Sequence, residues 1–483
     1  MSEATDAKKA AEPDSASVPP VPPVPLPAAP EPEPEAPPRT GLLGDMLARI
    51  AESGRALIGA EEPKPLIDRA EALLASNGEV TGTARAQGLL EDYAALDLDA
   101  RLAFLRALAE RMATDETALV EAIAAYQADP GPAAARRLHV VSEPRSQELL
   151  RLLNRAPGGT RALVRMREDL LGILREEPRL SGLDADFQHL FGSWFNRGFL
   201  SLRRIDWDTP ASILEKIIAY EAVHAITDWD DLRRRVAAPD RALFAFFHPA
   251  LTDDPLIFVE VALTAEIPGA IGPILTDARD TVDPARATTA VFYSISNCQK
   301  GLRGISFGNF LIKQVVEDLR AAFPRLATFV TLSPVPGFAT WLAREGMAEE
   351  AAAHPPETDG APAEEAERKK AEAARDDRLA ALCAHYLAEA KRPNGLPENA
   401  VARFHLGNGA RLERVHACAD LSPRGQAESH GVMVNYLYDL PYIEKNHEAF
   451  AGRGEIAQSS AVRRLARTGA ALAAAASFEK KTP

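Results

Sequence analysis

From about residue 41 to residue 197 the apolar positions recur every three to four residues and almost never alternate, which predicts a run of amphipathic helices. The first begins in GLLGDMLARIAESGRALIGA. In LDLDARLAFLRALAERM, Leu102, Leu105, Leu108 and Met112 share one face, with Asp99 placed as N-cap. After Pro157-Gly158-Gly159 a further helix is expected, capped by Thr160 and facing inward with Leu163, Met166, Leu170 and Leu174. Stripes of this kind form a core or a subunit interface. Beyond Trp194-Phe195-Asn196-Arg197-Gly198 the period changes. Thr209-Pro210 reads as a cap and first helical residue for ILEKIIAYEAVHAI. Strand-like runs follow: ALFAFF at 242–247, LIFVEVALT at 256–264, TTAVFYSI at 288–295 and ATFVTL at 327–332. Between the last two, NFLIKQVVEDLRAAF predicts a helix that buries Ile312, Val315, Val316, Leu319 and Phe323. Residues of about 347–377 break the pattern with a charged, Ala- and Pro-rich run, read as a surface insertion. LAALCAHYLAEA resumes a helix, ARFHLGNGARLERVH and GVMVNYLYD read as loops and strands, and the Ala-rich stretch from Ser459 to Lys481 is helix-prone.

Composition changes this picture at the N-terminus, where residues 1–40 hold 12 of the 37 prolines. Such a leader cannot bury apolar area and favours extended polyproline II; its PxxP spacing would also suit an aromatic-lined groove. Over all 483 residues, 55 Lys and Arg against 69 Asp and Glu leave a net charge of −14. That balance disfavours a nucleic-acid or anionic-membrane surface, so an anionic substrate would need a local basic pocket. The three cysteines, Cys298, Cys383 and Cys418, are too few and too scattered for a disulfide framework, which fits a reducing compartment. No run approaches the roughly 20 apolar residues of a membrane helix, and the first residues resemble neither a signal nor a transit peptide. A cytoplasmic protein is expected.

Three segments can carry chemistry. Residues 296–309, SNCQKGLRGISFGN, lie between a strand and a helix and hold three glycines, so backbone N–H groups can approach an anion at the helix N-terminus. Neither a P-loop nor a dinucleotide fingerprint is present; a glycine-rich turn without ligand is the alternative. Ser333, in LSPVPGF, follows a strand, where it can serve chemistry or cap the helix of FATWLA. His405, in ARFHLGNG, stands before a glycine-bearing turn and is either a proton donor or a hydrogen-bonded core residue. His224 and His248 are weaker candidates of the same kind. No HExxH, acidic ligand cluster or GxSxG elbow occurs, so a metal-free mechanism is the simpler expectation. Cys298 is either a small buried hydrophobe or a redox-responsive thiol.

Taken in order, QKGLRG with GNFLIK, then LSPVPGF, FHLGNGA and GVMVNYLY, preceded by WDTPASILEKIIAYEAVHAITDWDDLRRRV, resemble the malonyl-CoA decarboxylase family over nearly the whole chain after residue 40. The resemblance implies an α+β protein: an all-helical oligomerisation domain at 41–197, and a catalytic domain of GNAT-like acyltransferase fold at 198–483 carrying the insertion at about 347–377. It implies conversion of malonyl-CoA to acetyl-CoA and CO2 with no cofactor and no metal, in a homo-oligomer, typically a tetramer, assembled through the helical domain. By the same resemblance Ser333 and His405 are the catalytic pair. Arg303, Gly304, Ile305, Ser306, Phe307, Gly308 and Asn309, with Ser333 and His405, contact the substrate. Backbone amides would stabilise a thioester enolate, Ser333 would orient the carboxylate or accept a proton from it, and His405 would protonate C2. Lys300, Arg303 and Lys313 would neutralise CoA phosphates, with a solvated helix residue as the equal alternative for Lys313. The acidic leader, the insertion and the lack of a terminal Ser-Lys-Leu depart from animal members, so their targeting is not carried over. A GNAT acyltransferase acting on an amine, or a non-catalytic acyl-CoA sensor, are the rival readings.

Overall fold

The computed structural model describes residues 64–76, 78–305, 310–348 and 362–479, together with Met46, Arg49, Glu52 and Ser53. The leader, most of the first expected helix, residues 306–309 and the first part of the insertion lie outside the described residues. The described residues form one compact unit.

Among the described residues from Leu66 onward, eight α-helices come first: Leu66–Leu74, Glu79–Ala95, Leu98–Arg111, Glu116–Ala128, Pro132–Ser142, Arg145–Asn154, Gly159–Ile173 and Ser181–Trp194. Their apolar stripes meet in a core that includes Leu89, Leu105, Leu108, Leu149, Leu163 and Phe187. Two expected caps are corrected. Asp97, not Asp99, accepts the Ala100 N–H at 2.8 Å. The helix after Pro157 starts from Gly158 in the left-handed region, and the Thr160 hydroxyl instead donates to Asn154 Oδ1 at 2.7 Å. The helices Glu116–Ala128 and Pro132–Ser142 pair as a hairpin that gives little to this core. The first buries only Ala122 and the second buries nothing.

The second half is built on one mixed sheet of β1 (Ser201–Ile205), β2 (Arg241–Phe247), β3 (Ile257–Thr264), β4 (Thr289–Asn297), β5 (Thr328–Thr331), β6 (Ser333–Pro334), β7 (Arg411–His416) and β8 (Met433–Leu437). The order is β1-β2-β3-β4-β5-β8-β6, with β7 on β8. β2 and β3 read as continuous apolar runs because both their faces are covered. Phe244, Val259 and Phe292 pack against the helix Phe310–Ala322, and Leu243 and Phe258 against the helices Ala211–Tyr220 and Trp229–Val236. The helix Phe310–Ala322 is the crossover that a parallel β4–β5 pair requires. β1 to β4 are antiparallel, and β4 and β5 run parallel from Thr289 with Thr328 to Phe292 with Thr331. Past that point β4 continues along β3, whereas Ser333 and Pro334 pair with Val434 and Met433 of β8. The sheet therefore opens between the last half of β4 and β6.

Three further expectations change. The helix after Pro210 ends at Tyr220, so residues 221–226 of the expected helix are a loop, and Thr209 bonds Asp206. The segment around His405 is helical, Ala400–Gly407. The described part of the insertion from Pro362 is one helix running through LAALCAHYLAEA to Glu389, against which the helix Ser460–Glu479 packs.

Candidate active site

Ser333 does not cap the following helix. Phe338–Glu345 begins after Gly337, a left-handed residue with φ 84°, and Ser333 is strand backbone five residues earlier. Its buried hydroxyl donates to Thr331 Oγ1 at 2.9 Å and lies 3.2 Å from His405 Nε2, 72 residues away in the chain. Asn399 makes that meeting possible. Its Oδ1 caps the His405 helix through the Ala402 N–H at 2.8 Å, and its Nδ2 donates to the Pro336 carbonyl at 2.8 Å, joining the helix start to the Ser-Pro-Val-Pro segment. On the far side of the ring Tyr438 Oη lies 2.8 Å from His405 Nδ1, while the ring of Tyr436 stacks on the imidazole at a centroid distance of 4.6 Å. With water excluded, burial pushes the His405 imidazole down to about 3, so it is neutral near pH 7.

The pair faces the opening of the sheet. A cavity of about 230 Å³ there is lined by Val223, Tyr293, Ser294, Ser333, Pro334 and His405, among others. Asn297 and Phe404 also belong to an adjoining cavity of about 620 Å³, so the two form one trough. Lys300, Arg303 and Arg403 line the larger part, which supplies a local basic site in an acidic chain. The Arg403 guanidinium is held by the carbonyls of Pro397 and Glu398, each at 2.7 Å. Along the trough β4 carries a bulge: Glu260 faces Ser294 and Val261 faces Phe292, so Tyr293 has no opposite residue. Glu221 anchors the neighbouring wall. Its carboxylate accepts from the Ser294 hydroxyl at 2.8 Å and from the N–H groups of Val223 and His224 at 2.7 and 2.8 Å. Behind it, burial pushes the Glu260 carboxyl up to about 8, with Arg235 pulling the other way from 3.2 Å.

Of the residues singled out by sequence, the structure brings together Ser333, His405, Lys300, Arg303, Gly304 and Ile305 along this trough. Ser306, Phe307, Gly308 and Asn309 lie outside the described residues. Lys313 pairs with Glu444. His248 bonds the Trp194 carbonyl at 3.1 Å, and the half-buried His224 donates its backbone N–H to Glu221. Cys298 is buried, and that burial raises its thiol well above its usual range, which disfavours the thiolate. Gly301, read as a glycine that admits an anion, is used differently: a Cβ there would lie 1.9 Å from the Val164 carbonyl oxygen, so its lack of a side chain admits a helix. Thr331, Tyr438, Asn297 and Arg403 were missed. Each sits inside a quoted segment, but nothing local in the sequence marks it. Among the described residues no group of three His, Cys, Asp or Glu side chains is placed to hold a metal ion, and no helix is long and apolar enough to cross a membrane.

A sheet that opens beyond a parallel strand pair, beside a helical region, with a buried Ser–His pair at the opening, defines an α+β enzyme of GNAT-like fold. Comparison narrows this. The profile of the malonyl-CoA decarboxylase C-terminal domain matches residues 198–477, and that of the N-terminal domain matches residues 112–195. The chain therefore belongs to the malonyl-CoA decarboxylase family. It is 38% identical over 355 residues to the mitochondrial malonyl-CoA decarboxylase of Anser anser anser, covering 68% of this chain and 70% of that one. Its identity to the Rattus norvegicus enzyme is 36%, with 68% and 72% covered. Among solved structures, malonyl-CoA decarboxylase from Rhodopseudomonas palustris is 55% identical with a TM-score of 0.76, covering 83% of this chain and 98% of that one. The Agrobacterium vitis protein is 51% identical with a TM-score of 0.75, covering 83% and 100%.

Proposed function

We propose that this chain is a carboxy-lyase that converts malonyl-CoA to acetyl-CoA and CO2, with Ser333 and His405 at the reacting carbons. The observation that carries this reading is the 3.2 Å Ser333–His405 contact at the sheet opening, at the inner end of a basic trough. Lys300, Arg303 and Arg403 receive the CoA phosphates, and Arg303, Gly304 and Ile305 contact the substrate. The pantetheine arm follows the trough past Asn297 and Phe404, which delivers the malonyl group to the narrower cavity.

Loss of CO2 moves the carboxylate's electron pair into C2 and onto the thioester oxygen, so catalysis needs donors aimed at that oxygen beforehand. The bulge at Tyr293 supports a backbone N–H in that role. Ser333 orients the carboxylate out of the thioester plane, with His405 beside it. In the empty site His405 is neutral; an anionic carboxylate against it in a dry cavity favours the imidazolium, so substrate binding draws in a proton. After CO2 leaves, that proton passes to C2 and the ring returns to its neutral form. One proton is taken up and one delivered, which balances the reaction. Tyr438 holds Nδ1 and keeps Nε2 directed at the cavity.

The exposed helical hairpin supports the further proposal of a homo-oligomer, a tetramer, assembled through the helical domain at 41–197 while residues 198–483 carry the chemistry. Three free cysteines, two of them buried, support a reducing, cytoplasmic setting. The test of the main reading is release of CO2 and acetyl-CoA from malonyl-CoA by the purified, chelator-treated protein, with His405→Asn as control. Equimolar products that fall roughly 10²–10⁴-fold in the variant are expected. An acylated amine formed without CO2 would instead assign the chain to acyl transfer.

A further inference from the structure

The turn Lys300–Leu302 takes its packing from the helical region. Leu302 is buried in the same core as Leu163, Val164 and Leu170, with Ile305 packed against it, and Gly301 touches the helix Gly159–Ile173 backbone to backbone. Across that contact lies Arg167, among the largest fully buried side chains at 1% exposure. One of its terminal nitrogens donates to the Gly301 carbonyl at 2.7 Å and to the Arg303 carbonyl at 2.9 Å. Its Nε donates to Asp184 at 2.8 Å, and Gln188 donates to the other Asp184 oxygen at 2.6 Å. Burying a guanidinium carries a desolvation penalty of several kcal/mol, which only good geometry and full pairing offset. Here that pairing is directed at two carbonyls of one turn. With those carbonyls drawn into the helical core, the exposed Arg303 and Gly304 are left at the trough, and Lys300 is tied to the same helix through Glu168 at 3.3 Å.

We infer that Arg167 is a positioning residue for acyl-CoA binding, which fixes the turn at 300–304 for the phosphate-bearing end of CoA and makes the helical region part of the substrate site. This rests on the reading of that turn as the CoA-phosphate turn. A positioning role at one end of the substrate has a signature that a general packing role lacks. Malonyl-pantetheine keeps the reacting group and the arm but has no 3′-phosphoadenosine diphosphate, so a defect confined to the turn spares it.

The experiment compares both substrates in the full-length protein carrying Arg167→Lys, which keeps the charge but replaces the planar fork with a single ammonium. Asp184→Asn, which weakens the orientation of Arg167, is the second variant and decides by the same comparison if the first is insoluble. Arg303→Ala is the control for the turn itself. The expected result is a KM for malonyl-CoA raised about tenfold, the effect of one lost charge-assisted hydrogen bond, with kcat held within about twofold and KM for malonyl-pantetheine unchanged. Equal rises in KM on both substrates, or a fall in kcat on both, would overturn the inference. If Arg303→Ala raises the malonyl-CoA KM and neither other variant does, Arg167 alone loses its role. If Arg303→Ala has no effect, the CoA-turn reading fails and the inference with it.

Discussion

At position 405 an imidazole is almost fully buried, stacked on Tyr436 and bonded at both nitrogens. Its stability linkage follows from that burial. In the unfolded chain the ring takes a proton below about 6.5, whereas in the folded protein it stays neutral down to about 3. The unfolded state therefore binds more protons across this window, and stability falls as pH drops from 6.5 toward 3, by up to about 1.4 kcal/mol per pH unit through this group. Denaturant titrations at several pH values should show His405→Asn losing that share of the slope. On the proposed mechanism substrate binding reverses the preference. Calorimetry of a non-reactive malonyl-CoA analogue in buffers of different ionisation enthalpy should report uptake of close to one proton by the parent and none by His405→Asn. Ser333 makes two side-chain hydrogen bonds and caps no helix, so Ser333→Ala should lower kcat roughly 10²-fold, with a loss of only about 1 kcal/mol in stability and unchanged helical circular dichroism. A large drop in melting temperature without loss of turnover would return Ser333 to a structural role.

Between elements, some close approaches are made at glycines whose neighbours are backbone. A Cβ on Gly301 would meet the Val164 carbonyl at 1.9 Å, and one on Gly409, at φ +82°, would meet the Ile443 carbonyl at 2.2 Å. Neither neighbour can swing aside as a flexible side chain would. Gly301→Ala should destabilise by about 1–3 kcal/mol, the range for overpacking, and raise KM for malonyl-CoA because the substrate turn must shift. Thermal unfolding and steady-state kinetics on one preparation check both. The expectation that three glycines admit an anion was thus incomplete. A glycine that admits a ligand and a glycine that admits a helix look alike in sequence, since each marks only a place where a side chain would collide.

For the whole molecule, the helical hairpin at 116–142 leaves Val120 at 65% and Val140 at 64% exposure, with Ile123 and Tyr126 nearby. Such an apolar patch on an otherwise acidic protein is what a subunit interface would cover. Val120→Glu should leave monomer stability within about 0.5 kcal/mol, because the residue is exposed, while lowering the assembly state in light scattering. An unchanged mass would place the interface elsewhere. The periodicity of apolar positions by itself determined most of the helical first half, the strands β2 to β5 and the crossover helix, because those elements, the hairpin at 116–142 apart, bury whole faces and the burial leaves a repeat in the chain. The ordered motifs marked Ser333 and His405, since the turns and strand ends around them require particular residues. Only the tertiary structure decided how those residues meet. The opening between β4 and β6 comes from a change of strand partner, His405 gains its neutral state from distant walls, and Thr331, Tyr438, Arg403 and Arg167 act through contacts across the fold. Periodicity records which side of an element faces inward; it carries no record of which element waits there.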